Sequence, residues 1–211
     1  MCSPMPPSNT WVLKLGGAMH GADELPAWLA ACGGEVSRAT RCVVVAGGGA
    51  FADQVRALQA RWRFDEHLAH ALALDTMRLN ARLLHGLAPH LTQSEAVHAA
   101  ALAAEGDVMW SPPADFAPTA LPASWAVTSD SIALWLAQAL GAQAVLLVKS
   151  LAPEDLQAGS ARQLAARGVV DDFFPALLSA SQVPARLLSK TAVGDFARHL
   201  QAGSLPGVRI D

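Results

Sequence analysis

The chain has little charge, few cysteines and no large excess of either sign. Charged residues make up 16% of its 211 positions and hydrophobic residues 52%. That composition buries a large core and is wrong for a disordered chain. The net charge of −3 offers no electrostatic footprint for nucleic acid or an anionic membrane. The three cysteines, Cys2, Cys32 and Cys42, are odd in number and scattered, which excludes a disulfide framework and a zinc site. Mean hydropathy is +0.28, yet the most apolar stretch, Ile132 to Val148, is broken by Gln138, Gly141 and Gln143 and reads as a helix followed by a strand. The N-terminus has neither the basic nor the apolar region of a signal peptide. The expectation is a soluble, cytoplasmic domain. Motifs are missing too. There is no G-K-[ST] after a glycine loop, no GxGxxG, no G-x-S-x-G elbow, and no HExxH or paired spacing among the seven histidines, so no metal site is expected.

Lysine is the scarcest of the common charged residues. Twelve of the fifteen basic residues are arginine, leaving Lys14, Lys149 and Lys190. A lysine retained against such a bias is a candidate for work that needs a compact ammonium, such as meeting phosphate oxygens as a point charge.

Strand and helix patterns alternate. Strands are expected at 11–15, 42–46, 108–110, 145–148, 186–188 and 208–210. Helices are expected at 23–32, 51–62, 65–87, 94–104, 131–140, 161–167, 174–180 and 193–201. The strands are continuous apolar runs such as Cys42–Ala46 (CVVVA), which argues an α/β sandwich around a mainly parallel sheet. Residues 1–10 read as a flexible N-terminus and 11–211 as one domain. The proline-rich loop (Pro112, Pro113, Pro118, Pro122) is the one plausible boundary within it.

Two strands end in glycines, Gly16-Gly17 after Lys14-Leu15 and Gly47-Gly48-Gly49 after the second strand. Ligands of parallel sheets bind beyond the carboxyl ends of the strands, where glycine lets backbone N–H groups approach an anion. Each cluster alone is more often a tight turn; two together, with a lysine on one, favour polyphosphate. A β-branched residue at Gly48 would fill the phosphate space and resist a positive φ. Lys14, at a strand end, is expected to matter little for the core. Asp130, in Thr128-Ser129-Asp130-Ser131, has two readings: a helix-start carboxylate, or a group facing the crevice that holds a lysine ammonium. Lys149, at the end of the 145–148 strand, is either a solvated loop lysine or a second crevice cation.

The segments VLKLGG, VVVAGGGAFADQVR and SWAVTSDSIALWLAQALGAQAVLLVKS, in this order, resemble the amino acid kinase superfamily. Together with a helix bearing His70 and Met77, and Val170-Asp171 before Phe174-Pro175, they look most similar to the aminomethylfuran phosphate kinase branch of methanofuran biosynthesis. The resemblance implies a three-layer αβα sandwich with an acceptor lobe (about 11–123) and a reduced nucleotide lobe (about 124–211). It also implies ATP and Mg²⁺, a small-molecule acceptor ending in phosphate or carboxylate, and a homodimer or higher homo-oligomer. Carried over by motif, Lys14 neutralises the transferring phosphoryl group, Gly16, Gly17, Gly47, Gly48 and Gly49 line it, and Asp130 organises the lysines. Lys149, Ser150 and Asp171 fall to the nucleotide, and His70, Trp125 and Ser129 to the substrate. Lys190 receives no role. The chain departs from the pattern at the usual T-D-V-D-G loop, which here reads Lys149-Ser150-Leu151-Ala152-Pro153, and has no lysine between Asp171 and Leu177. These departures keep a second reading open, a non-catalytic relative that binds a nucleotide or oxyanion.

Overall fold

A computed structural model describes residues 9–33, 40–102, 106–152, 155–156 and 159–211. Most of the expected flexible N-terminus, Cys2 and Pro153 lie outside the described residues. Seven strands form one sheet in the order β3-β4-β2-β1-β5-β6-β7. They are β1 (Asn9–Leu15), β2 (Thr40–Ala46), β3 (Thr92–Ser94), β4 (Val108–Trp110), β5 (Ala144–Lys149), β6 (Ala185–Ser189) and β7 (Val208–Ile210). All neighbours pair in parallel except β6 with β7.

The alternation of side chains along each strand feeds two cores. Trp11, Leu13 and Leu15 of β1 point to one face, where Trp28 and Leu29 of α1 (Leu25–Ala31) and Phe196 and Leu200 of α7 (Val193–Ala202) cover them. Val12 of β1, with Val43 and Val45 of β2, points to the other. There α4 (Ser129–Ala139), α5 (Ala161–Ala166) and α6 (Phe174–Ser179) bring Ile132, Leu136, Leu164, Phe174 and Leu177. A sheet buried on both faces explains why its strands are apolar runs. The fold is the mainly parallel αβα sandwich expected.

Two helices complete the set. α2 (Gly49–Trp62) and α3 (Glu66–Leu87) pack against each other beside β2 and β4. Asp65 starts α3 by accepting from Leu68 N at 2.8 Å.

One expected element is absent. The helix predicted over 94–104 is instead β3, ending at Ser94, and a single 3₁₀ turn over Ala99–Leu102; 103 and 104 lie outside the described residues. The alanine-rich run has the right propensity, but its start is committed elsewhere. Thr92–Ser94 pairs with Val108–Trp110, and the Trp110 indole donates to Ala96 O at 3.0 Å. Tertiary pairing overrides local preference.

Candidate active site

β1 lies between β2, reached early in the chain, and β5, reached only after β3, β4 and α4. A crevice opens at such a switch point, beyond the strand carboxyl ends, and a pocket of about 330 Å³ is there. Lys14, Gly17, Gly48, Gly49, Ser129, Asp130 and Lys149 line its inner end, and His70, Trp125, Asp53 and Arg56 lie toward the α2–α3 side.

At the inner end one carboxylate holds two ammoniums. Asp130 Oδ1 is 2.9 Å from Lys14 Nζ, and Oδ2 accepts from Lys149 Nζ at 2.6 Å. Asp130 and Lys14 are nearly inaccessible, while Lys149 keeps 16% of its side chain exposed. Of the two readings of Asp130, the structure shows the crevice carboxylate, and Lys149 is not a solvated loop lysine. Burial pushes the Lys14 ammonium down to about 8; Asp130 pulls the other way and Lys149 repels it further. Burial pushes the Asp130 carboxyl up, but Lys14 and then Lys149 outweigh it and hold it at about 2. The centre therefore sets two ammonium groups against one carboxylate. That excess of one cation in a desolvated pocket is suited to an anion. Lys14 is 4% exposed, so the expectation that it matters little to the core does not hold.

The two glycine turns touch. A Cβ on Gly17 would lie 2.7 Å from Gly49 Cα, and Gly49 itself has φ +55° with the His20 ring against its Cα. The positive φ is at Gly49 rather than at Gly48, whose φ is −67°. Gly48 is glycine because a Cβ there would sit 2.5 Å from Ala52 Cβ and 2.6 Å from Thr76 Oγ1. Gly16 and Gly47 tie the turns to the sheet, donating to Val148 O and Leu15 O. Gly47 and Ser129 meet across the crevice, the Ser129 hydroxyl lying 3.1 Å from where a Gly47 Cβ would be.

Asp171 does not line the pocket. It accepts from Thr128 N (2.8 Å), Thr128 Oγ1 (2.9 Å), Ser131 N (3.0 Å), Ser131 Oγ and Phe174 N (3.0 Å). It thereby satisfies the Ser131 N–H in the first turn of α4, which the Thr128 side chain leaves uncapped. Burial, then the charge of Asp130, pushes its carboxyl up. Ser150 is exposed and outside the pocket. Lys190 pairs with Glu24 at 3.2 Å, and its carbonyl accepts from the Trp28 indole.

The outer end contains residues to which the sequence reading gave no role. Arg56 stacks its guanidinium 4.2 Å from the Trp125 ring centroid and pairs with Asp53 at 3.0 Å. The Trp125 indole donates to Gln59 Oε1 at 2.5 Å. Asp53 and Arg56 sit in the GGGAFADQVR segment, four and seven residues after Gly49 and so on one helix face; that spacing was the available clue. Leu74, Met77, Val127 and Ile132 supply apolar lining between the two ends. Burial lowers the His70 imidazole, opposed by the Ser124 backbone. Among the described residues no group of three or more acidic, histidine or cysteine side chains is placed to hold a metal ion.

Residues 9–152 match the sequence model of the Amino acid kinase family. No curated protein matches the chain. Among solved structures, the chain is similar to the uridylate kinase of Archaeoglobus fulgidus (TM-score 0.66, 17% identity, 95% of this chain and 99% of that one). It is also similar to the UMP kinase of Bacillus anthracis (0.62, 16%, 97% and 96%). The aspartate kinase of Synechocystis matches 95% of this chain with 39% of its own (0.66, 15%).

Proposed function

The chain belongs to the amino acid kinase family, and on that premise we propose that it is an ATP-dependent kinase of a small phosphate- or carboxylate-bearing acceptor. The observation that carries this reading is the Lys14–Asp130–Lys149 centre at the mouth of two touching glycine turns. An attacking acceptor oxygen forms a bond to the γ-phosphorus as the bond from that phosphorus to the bridging oxygen breaks, releasing ADP. A phosphate or carboxylate oxygen is already anionic, so no general base is required. The residues' task is positioning and charge. Lys14 and Lys149 neutralise oxygens of the transferring and leaving groups, Asp130 fixes the gap between them, and the turns present N–H groups. Mg²⁺ would be carried on the phosphates, where it neutralises charge, because it commonly binds through substrate oxygens and water rather than a protein cage.

The acceptor enters from the Trp125–Arg56 end, where α2 of the acceptor lobe meets the chain just past the lobe boundary. An aminomethylfuran phosphate, the acceptor of the branch the motifs resemble, is the first compound to test; a pocket of about 330 Å³ fits a molecule of that size. In this reading Lys149 takes the place of the lysine missing between Asp171 and Leu177, and the segment after it meets the nucleotide.

The active unit is a homodimer. Every exposed large apolar side chain among the described residues belongs to α2 (Phe51, Leu58, Trp62) or α3 (Leu68, Leu79, Leu83, Leu87). On α3, Asp75 and Arg82 flank the midpoint between Arg78 and Leu79 symmetrically. Two antiparallel copies related by a two-fold therefore oppose Asp75 to Arg82 twice, with Leu79 at the centre.

The altered 149–153 segment favours a second reading, a nucleotide- or oxyanion-binding relative without transfer. Melting curves separate the kinase from an oxyanion binder, and transfer of label from ATP separates it from a nucleotide binder. A kinase is protected by Mg-ATP more than by inorganic phosphate, with ADP and GTP as further comparisons. An oxyanion binder is protected equally by phosphate.

A further inference from the structure

Asn80 is wholly buried on α3, on the face that carries Leu74, Met77, Ala81 and Leu84. A polar side chain on such a stripe needs a reason. Its Nδ2 donates to Gly47 O at 2.6 Å, while its Oδ1 is buried and has no hydrogen-bond partner. The amide cannot be turned over to mend this, because Oδ1 would then face the Gly47 carbonyl. An unsatisfied buried acceptor is kept so that Nδ2 can reach that one carbonyl.

That carbonyl belongs to the first glycine turn residue after β2. In a trans peptide the C=O and the following N–H point in opposite directions. Fixing Gly47 O toward α3 turns Gly48 N–H away from it. The next residue, Gly49, is held on the same side, with Asn80 Nδ2 3.3 Å from where its Cβ would be and the His20 ring closer still.

We propose that Asn80 is a positioning residue: by holding the Gly47 carbonyl it aims the Gly48 N–H into the crevice at the transferring phosphoryl group. This rests on the kinase reading above. Asn80 touches no substrate, since it does not line the pocket, and acts through the backbone of Gly47 and Gly48. Because the turn has no side chains, something else must choose its peptide orientation, and among the described residues Asn80 is the side chain bonded to it.

The test is Asn80→Asp, the substitution closest in shape. A protonated carboxyl can donate to Gly47 O as the amide does; an ionised one can only repel it. Burial beside a carbonyl raises the pKa of the introduced carboxyl. The titratable and charged groups nearby are His20 on the turn after β1, whose imidazole burial lowers, and Lys14 and Asp130 across the glycine turns. Wild-type protein and Asn80→Ala, carrying the same neighbours, therefore serve as controls. Mg-ATP binding is followed by calorimetry from pH 5.5 to 8, with the melting temperature checked at each pH.

The expected result is near-wild-type affinity for Asn80→Asp at the acid end, falling roughly 10- to 100-fold as pH rises, the range a misplaced group of this kind commands. Asn80→Ala should be weak throughout, and wild type should show only the limb that Lys14 sets near pH 8, with no fall below it. Binding by Asn80→Asp that matches wild type at every pH overturns the proposal, as does binding lost at every pH in a folded variant. If Asn80→Asp does not fold, Asn80→Ser, whose hydroxyl can donate, must bind better than Asn80→Ala, and equal binding overturns it. Wild-type protein that does not bind Mg-ATP overturns the kinase reading itself.

Discussion

Lys14 is buried in a parallel sheet and is still a cation at neutral pH because Asp130 lies 2.9 Å away. Lys14→Ala should lower kcat/KM by ~10²–10³, the usual cost of removing a preorganised charge at a developing phosphoryl oxygen. It should also lower the melting temperature, since Asp130 loses one of two partners. Unchanged turnover in a folded variant would remove Lys14 from the chemistry. The pH dependence follows from the same geometry. With the ammonium pushed down to about 8, a phosphoryl site that needs it charged loses kcat/KM as pH rises through that value. Lys149 repels Lys14, so Lys149→Ala should move this limb to higher pH. Asp130 attracts it, so Asp130→Asn should move it lower. A limb that stays in place in both variants would show that another group sets it.

The same three residues give a test of coupling. Asp130→Asn strands two ammoniums, that of Lys14 buried, and removing one partner of a buried pair typically costs roughly 3–5 kcal/mol of stability. In that background Lys149→Ala relieves repulsion. A double-mutant cycle on kcat/KM should therefore give a coupling of about 0.5–3 kcal/mol. Additive effects would mean that Lys149 works independently of Asp130.

At the scale of elements, the sequence showed every strand but β3, and most helices, because burial on both faces forces apolar runs, and because Gly47–Gly49 and Thr128–Ser131 punctuate them. It failed at 94–104, where the pairing of Thr92–Ser94 with β4 is a long-range fact invisible in an alanine-rich string. The site was legible where chemistry and strand ends coincide, at Lys14, Asp130, Lys149 and the glycines. Asn80 was hidden because its partner is a backbone carbonyl 33 positions away. Asp171 was visible, but its hydrogen bonds go to the start of α4. The glycine turn gives an element-level prediction. Gly49→Ala must place a methyl group against His20 at a φ of +55°. It should weaken Mg-ATP binding while moving the melting temperature modestly; full binding in calorimetry would show that the turn tolerates displacement.

At the scale of the whole molecule, α2 and α3 present the apolar side chains that no other part of the described chain covers. Leu79→Glu puts like charges together at the two-fold centre of the proposed pair. Sedimentation should show a dimer for wild type and a monomer for this variant, with Arg82→Glu weakening the pair and Asp75→Arg/Arg82→Glu restoring it. A wild-type monomer at tens of micromolar would refute the pairing.

The most direct test of the whole account is transfer of label from [γ-³²P]ATP in the presence of Mg²⁺ to a panel of small phosphate and carboxylate acceptors, aminomethylfuran phosphate among them. The account predicts a labelled product that depends on the acceptor, is formed by wild-type protein, and is lost in Lys14→Ala. Label that stays on ATP with every acceptor, in protein that Mg-ATP protects no better than inorganic phosphate does, would contradict it.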